Sequence, residues 1–83
     1  MNRSELQHLL YTVDDYFNDE TLIVDDVQED HVSIQPTNQY VFYDIVDWDR
    51  IRAIVRVVFE QGTQDKVWIG NYLYERQKMM SRA

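Results

Sequence analysis

An α+β fold is predicted for this 83-residue chain, in the order αβββαα, with a three-stranded antiparallel sheet packed against helices. Three observations predict it. Apolar residues recur at helical spacing near the N-terminus; short β-branched runs separated by polar turns follow; and a capped amphipathic segment begins near residue 47. The length fits one small domain spanning 1–83. A chain of this size buries about 60–65% of the surface its unfolded form exposes, so its core must be well filled.

The first helix is expected over residues 4–17. Ser4 can accept from the Gln7 amide while Gln7 reaches back, as in a capping box. Leu6, Leu9, Leu10, Val13 and Phe17 then form one stripe. Asp14, Asp15 and Asn18 end it, and Asn18-Asp19 favours a turn.

Thr21–Val27 is too short for a stable helix and reads as a strand. Gln28-Glu29-Asp30 is the hairpin connection, and His31–Gln35 alternates, with Val32 and Ile34 on one face. Pro36-Thr37-Asn38 is a second turn. Gln39–Ile45, dense in aromatic and β-branched residues, is expected as a third strand. Short links between consecutive strands imply an antiparallel meander.

Asp47 can cap a second helix, with Trp48, Ile51, Val55, Val58 and Phe59 on one face and Arg52 and Arg56 on another. The β-branched run 51–58 makes a strand the competing assignment. The cap and the length favour the helix, and Gly62 suits a left-handed residue at its end. Thr63 or Asp65 then opens a third helix to about Met80, through Val67, Ile69, Tyr72, Leu73, Arg76 and Met80. Gly70 would lie inside it, at a cost of about 1 kcal/mol against alanine, and would permit close packing against a neighbour.

Charge is distributed unevenly. From Ser4 through Asp49 there is no lysine or arginine but there are twelve acids, whereas residues 50–83 hold seven Lys and Arg against three acids. The net charge is −7. A polarised surface of this kind attracts a basic partner and repels bare nucleic acid. A hydrophobic share of 45% and an aromatic share of 13% separate the chain from disordered acidic tails.

Eight acids form doublets within residues 14–30: Asp14-Asp15, Asp19-Glu20, Asp25-Asp26 and Glu29-Asp30. They lack the alternating ligand spacing and the glycine of a calcium loop. With no cysteine, neither a disulfide nor a thiolate metal site can form. His8 and His31 have no zinc-ligand spacing, so His8 is expected at the core edge and His31 at a strand start. No nucleophile elbow surrounds Ser4, Ser33 or Ser81, and a domain this small gives little room for a cleft that separates two acids. The expectation is a non-enzyme with no cofactor.

Duplex DNA carries one negative charge per ~1.7 Å of axis, and proteins that hold it line grooves with Lys and Arg. Carboxylates at similar density can occupy such a groove and exclude the nucleic acid. Asp14, Asp15, Asp19, Glu20, Asp25, Asp26, Glu29 and Asp30 are the candidate partner-binding residues for a basic nucleic-acid-binding protein. The alternative for the basic half is a phosphate stripe of Arg50, Arg52, Arg56, Arg76, Lys78 and Arg82, with Trp68, Tyr72 and Tyr74 to stack bases. Pairing of these cations with the chain's own acids is the simpler expectation, so direct nucleic-acid binding is not assigned. Tyr40, Phe42 and Tyr43 put aromatic bulk on both faces of their strand, which also suits an accessory subunit or a homodimer through that strand or the last helix. No run approaches a membrane span, and the N-terminus has no basic-then-apolar leader, so a cytoplasmic protein is expected.

This organisation resembles that of small acidic inhibitors from phages and mobile elements, in particular anti-CRISPR proteins that block RNA-guided nucleases. The matching features are Met1-Asn2 to Leu10, the hairpin Thr21–Gln35, the strand Gln39-Tyr40-Val41-Phe42-Tyr43 and the helix from Asp47. The resemblance covers most of the chain in outline, with no residue-level motif. The basic stretch from Arg76 to Arg82 departs from a wholly acidic pattern. The resemblance implies a protein that occupies the DNA-binding or PAM-reading groove of a nuclease.

Overall fold

A computed structural model describes residues 1–18 and 21–80. The chain forms α1 (Arg3–Val13), α2 (Asp15–Asn18), β1 (Leu22–Val27), β2 (His31–Pro36), α3 (Gln39–Ile45), α4 (Trp48–Gln61), β3 (Lys66–Ile69), β4 (Tyr72–Glu75) and α5 (Arg76–Met80). The fold is α+β, with a four-stranded mixed sheet in the order β1-β2-β3-β4. This corrects the expected three-stranded antiparallel meander in both strand count and order. β1–β2 and β3–β4 are antiparallel, while β2 and β3 run parallel. Parallel neighbours need a crossover, and α3 with α4 supplies it.

The first helix starts two residues earlier than its expected cap. Asn2 accepts from the Glu5 amide at 2.9 Å, and Glu5 accepts from the Asn2 amide at 3.1 Å. Ser4 lies inside the helix, and Gln7 turns outward to the sheet. The expected continuous helix over 4–17 breaks at Asp14, whose backbone is extended. The Asp14 amide donates to the Leu10 carbonyl, its carboxylate accepts from the Tyr16 amide and its carbonyl accepts from the Phe17 amide, so one residue ends one helix and starts the next. The break swings Phe17 into the core beside Leu6 and Leu10 and leaves Val13 exposed.

The segment 39–45, expected as a strand, is helical. Asn38 caps it by accepting from the Tyr40 amide at 3.1 Å. The physical reason is that β2 already pairs on both sides, with β1 and with the distant β3, so it offers no edge to a third consecutive strand. Of the segment's aromatics only Phe42 is fully buried. Strand propensity of isolated residues yields to such packing.

α4 forms as expected. The Asp47 carboxylate accepts from the Asp49 and Arg50 amides, and Ile51, Ile54, Val55, Val58 and Phe59 face the core. Each such side chain contributes about 1.5–3 kcal/mol on burial. Gly62, expected in the left-handed region, is instead extended, with φ −119°.

The expected last helix, from residue 63 or 65 to Met80, is a β-hairpin followed by one short helical turn. Val67 and Ile69 point into the core, and Gly70-Asn71 turns the chain. Gly70 has φ +58°, which suits the tight two-residue loops of hairpins. The close approach expected at Gly70 is present: an added Cβ would collide with the Tyr43 hydroxyl. That hydroxyl accepts from the Asn71 amide at 3.0 Å. Tyr43 in turn stacks on Trp48, which meets Tyr72 edge-on with centroids 4.6 Å apart.

Leu22, Val24, Val32, Ile34, Val67 and Ile69 line one face of the sheet and pack with α1, α2 and α4. Ser33, Gln35, Trp68 and Leu73 alternate onto the other face. Among the described residues no helix is long and apolar enough to cross a membrane.

Candidate acidic docking surface

Four of the eight candidate acids meet at the closed end of the β1–β2 hairpin. The turn Gln28–Asp30 forms where expected, with the Gln28 amide donating to the His31 carbonyl at 2.8 Å. Pairing skips a position between Val24 and Asp26, so Asp25 bulges from β1 and is exposed. A bulge of this type re-aims its side chain away from the ladder. Both Asp26 oxygens accept from the Gln28 side-chain amide, at 3.0 and 2.9 Å. Glu29 and Asp30 are exposed at the turn.

A fifth carboxylate joins them from far along the chain. The Asp30 carbonyl accepts from the backbone amides of Asp65 and Lys66, at 3.1 and 3.2 Å, where β3 docks beside β2. The Gln64 side chain also donates to the Gln28 carbonyl at 3.0 Å. These bonds fix Asp65 beside Asp30. Among the described residues, none of Asp25, Asp26, Glu29, Asp30 and Asp65 forms an ion pair with a lysine or arginine. The Asp30 carboxylate meets His31 Nδ1, at 2.8 Å. That hydrogen bond, helped by Asp30's own backbone amide, holds its carboxyl below the ordinary value.

The remaining candidates have a different fate. Asp14 is mostly buried and grips Arg50 with both oxygens, at 2.9 and 3.0 Å. The Arg50 guanidinium lies 4.1 Å over the Tyr16 ring, and its pKa is raised chiefly by the Asp14 bond. Tyr16 closes the assembly by accepting from the Asp47 amide at 2.8 Å. Asp14 is thus a structural carboxylate. Asp15 is exposed and reaches Arg50 only at 3.8 Å. Asp19 and Glu20 lie outside the described residues. Asp15 belongs to α2, before β1, and not to the hairpin end.

Several residues named for a phosphate stripe are engaged within the chain, and Arg82 lies outside the described residues. Arg50 is held by Asp14, and Arg52 pairs with Asp49. Arg76 donates to the Gln64 and Gly62 carbonyls while resting over Phe59. Tyr72 and Tyr74 pair across from Ile69 and Val67, whereas Trp68 points to the opposite face. Burial raises the Tyr74 hydroxyl above its ordinary pKa, partly countered by Arg52 nearby.

His31 stands at the start of β2, and His8 is exposed on α1. Among the described residues no group of three or more His, Cys, Asp or Glu side chains can hold a metal ion. Asp65 is the site residue that sequence reasoning missed. No local signal could have found it, because its place depends on β3 pairing with β2 across 35 residues.

Comparison with protein-family models, curated proteins and solved structures finds no match for this chain.

Proposed function

We propose that this chain is a non-enzymatic binding protein whose hairpin end docks onto a basic, nucleic-acid-binding surface of another protein and competes with the nucleic acid for it. One observation carries this: five carboxylates at one end of the sheet, Asp25, Asp26, Glu29, Asp30 and Asp65, with no lysine or arginine paired to them among the described residues. Acids left without a lysine or arginine partner keep much of their field for an external one. They can replace phosphates on the partner and release the same counterions. An RNA-guided nuclease of the CRISPR type is the target class to try first.

The test is displacement. Labelled duplex DNA is bound to a guide-loaded nuclease, and separately to other basic DNA-binding proteins, and the chain is titrated in. The wild type releases the DNA from at least one of them, and its effect weakens steeply with salt as the screening length falls from ~10 Å at 0.1 M to ~3 Å at 1 M. Asp25→Asn, Glu29→Gln, Asp30→Asn and Asp65→Asn combined weaken release at least tenfold. Displacement that survives both salt and neutralisation refutes the proposal.

A second reading, as an accessory interaction subunit, rests on α3. Tyr40 is 86% exposed and Ile45 71% exposed, and Val41, four residues before Ile45, shares its helix face. Apolar side chains this open suit a protein contact. If that face is the interface, Tyr40→Asp with Ile45→Asp removes association in sedimentation measurements, and salt has little effect on it.

A further inference from the structure

α1 runs beside the free edge of β1. There the Val24 amide has no strand partner and donates instead to the Gln7 side-chain oxygen at 2.6 Å. Next to this bond opens a groove of about 490 Å³. Arg3, Ser4, His8 and Tyr11 form its helix wall, at the three- and four-residue spacing of one helix face. Gln7, Ile23 and Val24 form its sheet side. None of these residues belongs to the hairpin-end cluster.

The chemistry of the walls is unusual for this chain. Twelve acids lie between residues 4 and 49, and none of those among the described residues lines the groove, whereas the one lysine or arginine before Arg50 does. Gln7 accepts through its oxygen, so its side-chain NH2 remains a donor. Arg3 donates too, and the Ser4 and Tyr11 hydroxyls and the His8 ring can each do so. Ile23 and the Tyr11 ring add exposed apolar surface, at 42% and 52%. The volume is within the ~300–1,000 Å³ of small-molecule sites, which pair an apolar body with a few fixed polar groups.

We propose that this groove binds a small amphipathic carboxylate. The anionic head is held by Arg3 with donors from Ser4, Gln7 or His8, and the hydrocarbon lies along Ile23 and Tyr11. A cationic amphiphile finds no carboxylate among the described lining residues, and a neutral one leaves the guanidinium unanswered.

The test uses decanoate, decanol and decylamine, each below its self-association concentration, with backbone amide shifts as the readout. Decanoate produces saturable shifts in residues 3–11, 23 and 24, and none at residues 29, 30 and 65. Decanol binds more weakly and decylamine not at all. Arg3→Gln, at an exposed position that leaves the core intact, weakens decanoate about fivefold, the size of a solvent-exposed charge contact. Absence of saturable decanoate shifts overturns the site. Equal binding of decanol or decylamine, or no effect of Arg3→Gln, overturns the assignment of a carboxylate head.

Discussion

The two acidic regions of this molecule have similar sequences and opposite fates. Asp14-Asp15 and Glu29-Asp30 are both doublets at the ends of regular elements, and both belong to the stretch without lysine or arginine. Asp14 folds inward, caps α2 and holds Arg50 through two bonds. Glu29 and Asp30 stay in solvent, and the chain's own topology adds Asp65 to them. The difference lies in what the rest of the chain delivers. α4 begins beside the first doublet and presents Arg50 to it, while the arrival of β3 brings Asp65 to the second, with Lys66 acting on Asp30 only through its field. An acid's role is set by the element that folds against it more than by its neighbours in sequence.

Breaking Asp14 gives the largest expected change in stability. Asp14→Ala removes the α2 cap, worth about 1 kcal/mol, and a partly exposed ion pair worth about 1 kcal/mol more. Urea unfolding is expected to show a loss of about 2 kcal/mol, with partner binding unchanged once the protein is folded. A loss under 0.5 kcal/mol would show that Asp14 is no more structural than its exposed neighbours.

Asp15→Ala is the matched control, and because Asp15 is exposed and only loosely placed against Arg50, stability is expected to stay within about 0.5 kcal/mol. The combined neutralisation of Asp25, Glu29, Asp30 and Asp65 is also expected to leave the folded state intact, since none of these carboxylates pairs with a lysine or arginine among the described residues. A slight gain would fit relief of their mutual repulsion. A substantial loss would mean that the hairpin end, like Asp14, is built for folding.

The smallest effect is the titration of Asp30. Its carboxyl sits below the ordinary value of 3.8 because His31 donates to it. A depressed acid pKa favours the folded state above the ordinary value, and this advantage is lost as pH falls through the folded one. His31→Ala is expected to move the Asp30 titration upward, as read by carboxyl carbon chemical shifts. An unchanged titration would remove His31 as the cause.

Much of the fold was legible where a local signal and the tertiary structure agree. Asp47 followed by an apolar helical stripe marks α4, and two short apolar runs around Gln28–Asp30 mark the first hairpin. The last third misled because Val67, Ile69, Tyr72 and Leu73 satisfy a helical stripe loosely. The short β-branched and aromatic run Val67, Trp68 and Ile69 before Gly70-Asn71 is the better match to a strand, and Gly-Asn between such runs is a hairpin signal. The segment 39–45 was illegible for another reason. Its composition suits a strand, but β2's second edge is taken by β3, a pairing that no local pattern encodes.

The candidate site was legible in part. Asp25, Asp26, Glu29 and Asp30 do gather at one end. Asp14 is withdrawn by Arg50, 36 residues away, and Asp65 is added by pairing between β2 and β3. Both changes are long-range, so the list of acids could be read from the sequence while their division into structural and exposed groups could not.

The central claim is that binding resides at the hairpin end and not in negative charge at large. Its most direct test is the DNA-displacement assay run on the four-site hairpin variant beside Asp15→Asn. Four lost charge contacts predict at least a tenfold weaker displacement for the hairpin variant, and near wild-type behaviour for Asp15→Asn. A loss no larger for the hairpin variant than for Asp15→Asn would contradict the account.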